Sequence, residues 1–423
     1  MRQRAERRFE IPPTAGLPLR AADLAWHRGE GAADFGKALA TFLDVDAVQI
    51  ECSGTAAVVV ALTALRRLAP HRSEVVVPAY TCPLVPLAVA RCGLTPRLCD
   101  LLPGSLDMNP AHLHRLCNER TLALVPTHLG GRISDISAAQ TGARRVGAWI
   151  VEDAAQALGG RLGDASVGTR GDIGIFSLAV GKGLTIFEGG VLLAREPVLR
   201  DACRQVSTEL VAHHRGWELR RSLELLGYAL CYRPAVLDFV YGRPLRRALR
   251  RGDRVAAAGD DFDLEIPLHR VGRWRQTVGA RALVRLPDFL DACAAQAWRR
   301  RAQLARVSGV QVLEDSANVP HARGTWPVLL LLLATPAARD WALDTLWGAG
   351  CGVSLPFVHA LPDYARYAGV VPPSAPGDLR NARDLASRLL TISNSPWLDD
   401  GRFEWICGQL QRCAESAGDG LDW

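Results

Sequence analysis

Between Val48 and Asp153 short apolar runs alternate with runs of helical spacing, and this alternation restricts the fold more than any other feature. Val48–Glu51, Glu74–Val77, Pro96–Asp100, Leu122–Val125 and Ala148–Glu152 read as strands. Ala56–Leu68, Leu84–Cys92, Pro110–Leu116 and Ile136–Gly142 read as the helices between them. Strands this short, separated by helices, build βαβ units and a mostly parallel sheet. Ligands of such sheets sit beyond the carboxyl ends of the strands. Polar or special residues fall at those ends: Tyr80 and Thr81, Thr127 and His128, and Asp153 to Gln156.

Ser53 is a good N-cap for the helix that opens at Ala56, and the small residues Gly54, Thr55 and Ala56 leave the first backbone N–H groups uncovered. A helix start of this kind suits an anion, phosphate above all. Asp153, directly after an apolar strand, is either a helix cap or a functional acid.

The stretch Gly171–Ala194 holds a residue the composition makes conspicuous. Of 50 cationic residues only two, Lys37 and Lys182, are lysine; all the others are arginine. Lys37 fits the solvent side of a helix over Asp34–Leu43. Lys182 lies among Gly181, Gly183, Gly189 and Gly190, where backbone can approach a ligand closely. A desolvated ammonium can lose its proton and form a Schiff base, which a guanidinium cannot do. A phosphate site at Gly54 and Thr55, an acid at Asp153 for a ring nitrogen and an amine at Lys182 for an aldehyde together describe pyridoxal phosphate.

Four runs carry a resemblance. They are Ser53–Ala57 (SGTAA), Val75–Thr81 (VVVPAYT), Glu152–Ala157 (EDAAQA) and Gly171–Gly190 (GDIGIFS, then GKGLT and EGG). Over residues 34–200 the chain resembles the DegT/DnrJ/StrS family of pyridoxal-phosphate-dependent sugar aminotransferases, which have the aspartate-aminotransferase fold. The resemblance implies an α/β large domain with a mostly parallel sheet between helices, and a smaller α+β C-terminal domain. It implies that Lys182 forms the Schiff base, that Asp153 pairs with the pyridinium nitrogen and that Gln156 lies near the phenolic oxygen. It places the phosphate on Gly54, Thr55, Ala56 and Ser177. The expected reaction moves an amino group, from glutamate, to a nucleotide-linked keto sugar, in a homodimer with composite sites and in polysaccharide or glycoconjugate biosynthesis.

The chain departs from the family at Cys82, where an aromatic residue often stacks on the ring; Tyr80 is the candidate substitute. His128 is either a substrate-side group or a structural histidine. Of the family's cross-subunit segment only Arg270 agrees. His359 and, below it, Asn394 are further substrate-side candidates.

The expected divisions are an arm over residues 1–30, a large domain over 31–285 and a small domain over 286–423. Residues 205–268 form a longer insertion than the family has. Within it an apolar, aromatic stretch over Leu219–Tyr241 precedes six arginines in Arg243–Arg254. This segment reads either as a solvated helical cap over the active-site mouth or as a peripheral membrane or polyanion contact over residues 205–255. Leu283–Arg306 reads as one long helix, Val310–Glu314 and Pro327–Leu333 as strands, and Arg339–Ala349 as a helix.

A net charge of +6 over 423 residues is too small to argue for nucleic acid. Eleven scattered cysteines without a C-x-x-C pair fit reduced thiols in a cytoplasm and no metal site. The basic start lacks the apolar core of a signal peptide, and the longest apolar run, Val328–Ala334, is too short to span a bilayer. Two rivals remain: a non-catalytic or regulatory protein that binds the same cofactor, and a sugar dehydratase, whose family relatives lack the lysine.

Overall fold

The computed structural model describes residues 9–25, 34–375 and 377–418. The N-terminal part of the expected arm, residues 1–8, lies outside the described residues, as do residues 26–33.

Seven strands form the main sheet: β1 (Gln49–Glu51), β2 (Glu74–Pro78), β3 (Thr95–Cys99), β4 (Thr121–Leu124), β5 (Trp149–Asp153), β6 (Ile173–Ser177) and β7 (Gly190–Ala194). Their spatial order is β1-β7-β6-β5-β4-β2-β3. The run from β3 to β6 is parallel throughout, whereas β7 lies antiparallel to both β6 and β1. Strands β2, β5, β6 and β7 are buried along almost their whole length, as strands covered on both faces must be.

The helices take the expected places. Helix α1 (Gly54–Leu68) is apolar and buried as far as Leu65, then ends on two exposed arginines. Leu84–Arg91, Pro110–Leu116 and Ser137–Val146 fill the other crossovers. Each crossover returns the chain to the same sheet edge, so the polar strand ends gather on one side.

A second, antiparallel sheet holds β8 (Val310–Leu313), β9 (Val328–Leu333), β10 (Val353–Ser354) and β11 (Leu389–Ser393) in the order β8-β9-β11-β10. Its central strand β9 is the long apolar run of the sequence and is wholly buried. No helix among the described residues is long and apolar enough to cross a membrane.

The long helix expected over Leu283–Arg306 is present as Leu286–Leu304, and a separate helix, Arg273–Leu283, precedes it across Val284 and Arg285. Pro287 stands in the first turn of the second helix, where its missing N–H costs nothing. The stretch after residue 205 is a helical layer: α2 (Arg215–Cys231), a break before Pro234, then a helical run widened to π geometry over Asp238–Gly242 and continued as α3 (Arg243–Arg250).

The described part of the arm is pinned rather than loose. Ile11 N–H donates to Gly350 O (3.0 Å), Ala15 N–H to Pro327 O (2.9 Å) and Leu17 N–H to Gly183 O (2.7 Å). The arm thereby ties the small sheet to the loop that carries Lys182.

Candidate active site

At the start of α1 the Ser53 hydroxyl accepts from Ala56 N–H at 3.0 Å. The Ala56 amide is thus spent on the cap and its side chain is fully buried, so the expected phosphate contact there is replaced by a cap bond. Gly54 and Thr55 face a cavity of about 940 Å³, with Ser177 opposite. A Cβ on Gly190 would fall 2.2 Å from Ser53 O, so only glycine lets β7 run this close to the helix start.

Lys182 stands at the tip of the β6–β7 connection and lines the same cavity. Leu178 N–H donates to Gly189 O (2.7 Å) and Val180 N–H to Phe187 O (3.2 Å), closing the loop on itself. The buried Arg275 braces the loop from behind by donating to Glu188 O (2.5 Å) and Ile186 O (3.4 Å). Gly181 has φ +83°, and a Cβ there would meet Thr14 Oγ1 at 2.7 Å. Burial pulls the Lys182 ammonium below its ordinary pKa, against the opposing pull of Cys82 and Asp153. The lysine is therefore biased toward the neutral amine that nucleophilic and base chemistry need.

Asp153 ends β5 and is 5% exposed. Its Oδ1 accepts from Ala155 N–H at 3.0 Å, while Thr127 Oγ1 lies 3.5 Å from Oδ2. Burial raises its pKa, opposed by the Ala155 bond and by the Lys182 charge. The sequence left a choice between cap and functional acid. The carboxylate does accept the local bond, yet it also lines the cavity with Lys182 and keeps lone pairs unspent. Gln156 Oε1 accepts from Gly130 N–H at 2.8 Å, which leaves its Nε2 protons as the donors it offers the cavity.

His128 is 1% exposed and has both ring nitrogens committed within the protein. Its Nδ1 accepts from Ser134 N–H (3.0 Å), so Nε2 carries the proton and donates to Glu152 Oε1 (3.0 Å). Glu152, fully buried, also accepts from the amides of Gly168, Arg170 and Gly171. Burial acts to raise its pKa, but the His128 bond and these amides outweigh it and the net shift is downward.

The remaining candidates stand elsewhere. Tyr80 does not line the cavity: its hydroxyl donates to Phe357 O (2.9 Å) and its ring packs edge-on to Phe357 at 6.0 Å. Cys82 lines the cavity at the position where the family has its aromatic, its thiol pushed up to about 12 by burial despite Lys182. Arg270 lines a different pocket of about 300 Å³, together with Arg200 and Arg204. His359 is exposed, packs against Tyr364 at 5.2 Å and is not part of the cavity wall. Asn394 is fully buried and donates to Cys293 O and Trp326 O, which makes it a structural amide. The eleven cysteines are all free, and among the described residues no cluster could hold a metal.

Sequence reasoning missed the arm residues Pro12, Pro13 and Thr14; the walls contributed by residues 227–241 and 258–267 belong to the segment it read as a helical cap over the active-site mouth, without naming the residues that line it.

The residues present fit pyridoxal phosphate. A capped helix start offers amides to a phosphate, a buried carboxylate with spare lone pairs awaits a cationic ring nitrogen, and a buried amine faces the same space.

Comparison with known proteins agrees with this arrangement. Residues 20–229 match the profile of the DegT/DnrJ/EryC1/StrS aminotransferase family. A GDP-perosamine synthase of Vibrio cholerae is 29% identical over 198 residues, 46% of this chain and 53% of that protein. The GDP-perosamine synthase of Caulobacter vibrioides is 33% identical over 180 residues, 42% of this chain and 48% of its own. The chain thus spans about half the length of the curated relatives it matches. The crystal structure of DesI in the presence of its TDP-sugar product superposes with a TM-score of 0.71 at 20% identity, covering 98% of this chain and 97% of that one. Fold, matched segment and site residues converge, and the chain belongs to the DegT/DnrJ/EryC1/StrS aminotransferase family.

Proposed function

We propose that the protein is a pyridoxal-phosphate-dependent aminotransferase that moves an amino group, from glutamate, to the keto group of a sugar in polysaccharide or glycoconjugate biosynthesis. The observation that carries this reading is the convergence of Lys182, Asp153 and the Gly54–Thr55 helix start on one cavity. The curated relatives named above make a GDP-linked amino sugar, which supports a nucleotide-linked acceptor.

Bound there, pyridoxal phosphate supplies an electron-accepting ring that stabilises negative charge on the substrate carbon. Gly54, Thr55 and Ser177 would hold its phosphate, with the positive end of the α1 dipole adding to the amides. Asp153 would face the ring nitrogen and hold a proton there; burial raises the pKa of its own carboxyl, a cost that a cationic partner would offset. Gln156 Nε2 is placed to donate to the ring oxygen. Lys182, whose pKa burial lowers, would take a proton from the substrate carbon and return it at the cofactor's carbon. The glycines around it give the loop the positive φ and close approach that bring the amine in.

The test is spectroscopic and then catalytic. Purified holoprotein should show a visible band that glutamate bleaches, and the bleached form should aminate a pool of keto sugars. Intact binding of cofactor with no bleaching by any amino donor would favour the non-catalytic alternative. Assembly as a homodimer and a cytoplasmic location form part of the same proposal, supported by family membership.

A further inference from the structure

The cavity at Lys182 is larger than a cofactor and a small sugar require. At about 940 Å³ it sits at the upper end of the range of about 300–1,000 Å³ usual for sites that hold drug-sized ligands. Its outer part is walled by the helical layer that follows Lys182. Tyr228, Tyr232, Leu237, Val240, Phe262 and Ile266 all line it. Tyr228 and Tyr232 stack at 4.6 Å and present a flat aromatic surface.

The charges of this wall are as informative as its apolar residues. Among the described residues Lys182 is the only lysine or arginine in the lining, although the chain is rich in arginine. Four carboxylates line it: Asp153, Glu188, Asp260 and Glu265. Glu188 is engaged by Arg221 and His269, and Asp260 accepts from Val358 N–H (2.8 Å) and the Tyr364 hydroxyl (2.5 Å). Among the described residues of one chain, a nucleoside diphosphate placed here would meet carboxylates and no guanidinium, the reverse of ordinary phosphate recognition.

Space is also kept open deliberately. Gly227 lies inside α2, lines the cavity, and a Cβ built on it meets nothing within 4 Å. Glycine inside a helix costs about 1 kcal/mol against alanine, so an unfilled position here has no packing reason. Gly259, also in the lining, has empty surroundings too, but its φ of +79° at the end of the helix Arg254–Ala258 already calls for glycine. Val240 lines the cavity and is 54% exposed, so the chamber opens to solvent beside an apolar residue.

We infer that the acceptor carries an apolar substituent, an alkyl or acyl chain or a hydrocarbon ring, housed in the chamber walled by residues 227–241 and 258–267 while its keto-sugar end meets Lys182. This rests on the aminotransferase reading for the keto end only. A nucleotide on the same acceptor lies outside this chamber.

The test is calorimetric titration of the cofactor-loaded protein with octyl glucoside, kept below its micelle concentration, with methyl glucoside and with UDP-glucose. Octyl glucoside should bind at least tenfold more tightly than methyl glucoside. Gly227→Phe, which fills the chamber without a clash at Cβ, should reduce that advantage to about twofold or less, while Gly227→Ala retains it. Val240→Asp, at an exposed position, gives a second variant whose folding is not in question, and it should also shrink the advantage. Adding dodecyl glucoside in phosphatidylcholine vesicles separates the sources. Co-sedimentation with those vesicles alone assigns a bilayer-borne chain, and binding of free octyl glucoside assigns a soluble one. The inference is overturned if neither probe outbinds methyl glucoside, or if Gly227→Phe weakens UDP-glucose and leaves octyl glucoside unchanged. Bleaching by glutamate is read separately, so failure of the transaminase reading would appear there and leave the calorimetric result standing.

Discussion

Asp153→Asn separates the catalytic value of this carboxylate from its structural cost. In the proposed assignment a buried carboxylate faces the ring nitrogen, and Asp153 and Lys182 are close enough for their charges to act on one another. Two unit charges about 4 Å apart at an effective dielectric near 20 interact by about 4 kcal/mol, which corresponds to about a thousandfold in rate. Asparagine keeps a dipole and the bond to Ala155 N–H, so part of this survives. A loss of about 10²–10³ in turnover is expected, the scale seen when one preorganised electrostatic group is removed. The assay is the rate at which glutamate bleaches the visible band in a single turnover.

The same substitution should stabilise the protein without cofactor. The folded pKa of Asp153 lies above its ordinary value of 3.8, with burial the main cause. A raised carboxylate pKa means that the folded state binds this proton more readily than the unfolded chain. The group's contribution is therefore most favourable at low pH and is lost as pH rises from about 3.8 through the raised value. Asparagine has no charge to bury, so its advantage over aspartate should be near zero at low pH and complete at neutral pH. One kcal/mol moves Tm by about 2–4 °C in a unit of 150–250 residues and by less in a longer chain, so a rise of about 1–3 °C is expected by calorimetry of the apo-protein. Near-normal turnover, or a lowered apo Tm at neutral pH, would show that Asp153 serves only to cap the Ala155 turn.

Three further outcomes are expected. Borohydride treatment of the holoprotein should leave the cofactor mass on the peptide containing Lys182, and Lys182→Arg should abolish both the band and the labelled peptide; label on Lys37 would refute the assignment. Glu152→Gln should cost about 3 kcal/mol or more in urea unfolding, because an amide must turn donors toward the Arg170 and Gly171 amides. The lowered folded pKa of Glu152 makes its contribution present above the ordinary value of 4.5 and lost as pH falls through the folded value, so the mutant should lack the wild type's acid transition there. Sedimentation should give a dimer at assay concentration, and a fully active monomer would contradict that proposal.

What could be read from the sequence was what is local in the chain. The α1 start at Ser53 announces itself through a capping hydroxyl and small residues within a few positions. The crossover helices and strands β1 to β5 follow from periodicity over a few residues. Strands β6, β7, β10 and β11 were not read: β6 and β7 lie in the glycine-rich stretch Gly171–Ala194, a two-residue strand has no periodicity, and β11 runs into the polar turn at Asn394 and Ser395. The roles of His128 and Tyr80 were unreadable for another reason. Each is decided by a remote partner, Glu152 and Ser134 for the histidine and the Phe357 backbone for the tyrosine. Polar side chains at strand ends look alike in sequence, whether they face the cavity or turn back into the protein. The chamber walls were hidden because apolar residues lining a void carry the same pattern as residues lining a core.

The arginine-rich segment shows how one residue type divides between two physical tasks. Arg243 stacks on Phe239 at 3.8 Å and pairs with Asp238, while Arg246 joins Glu10 of the arm (2.7 Å) and Asp238. Arg254 reaches Asp340 at 2.8 Å, on the helix Pro336–Leu346. These three fasten the helical layer to itself, to the arm and to the small-sheet helix, and Arg246, at 13% exposure, is beyond easy screening by salt. Arg247, Arg250 and Arg251 face solvent. None of the six lines the cavity, so the cluster supplies no fixed charge at the site, and its solvent-facing members fit the reading of a solvated helical face. A guanidinium that stays charged and forks between two carboxylates suits a fastener. The site requires the opposite property, a cation able to give up its proton when buried, and there a chain otherwise committed to arginine carries a lysine.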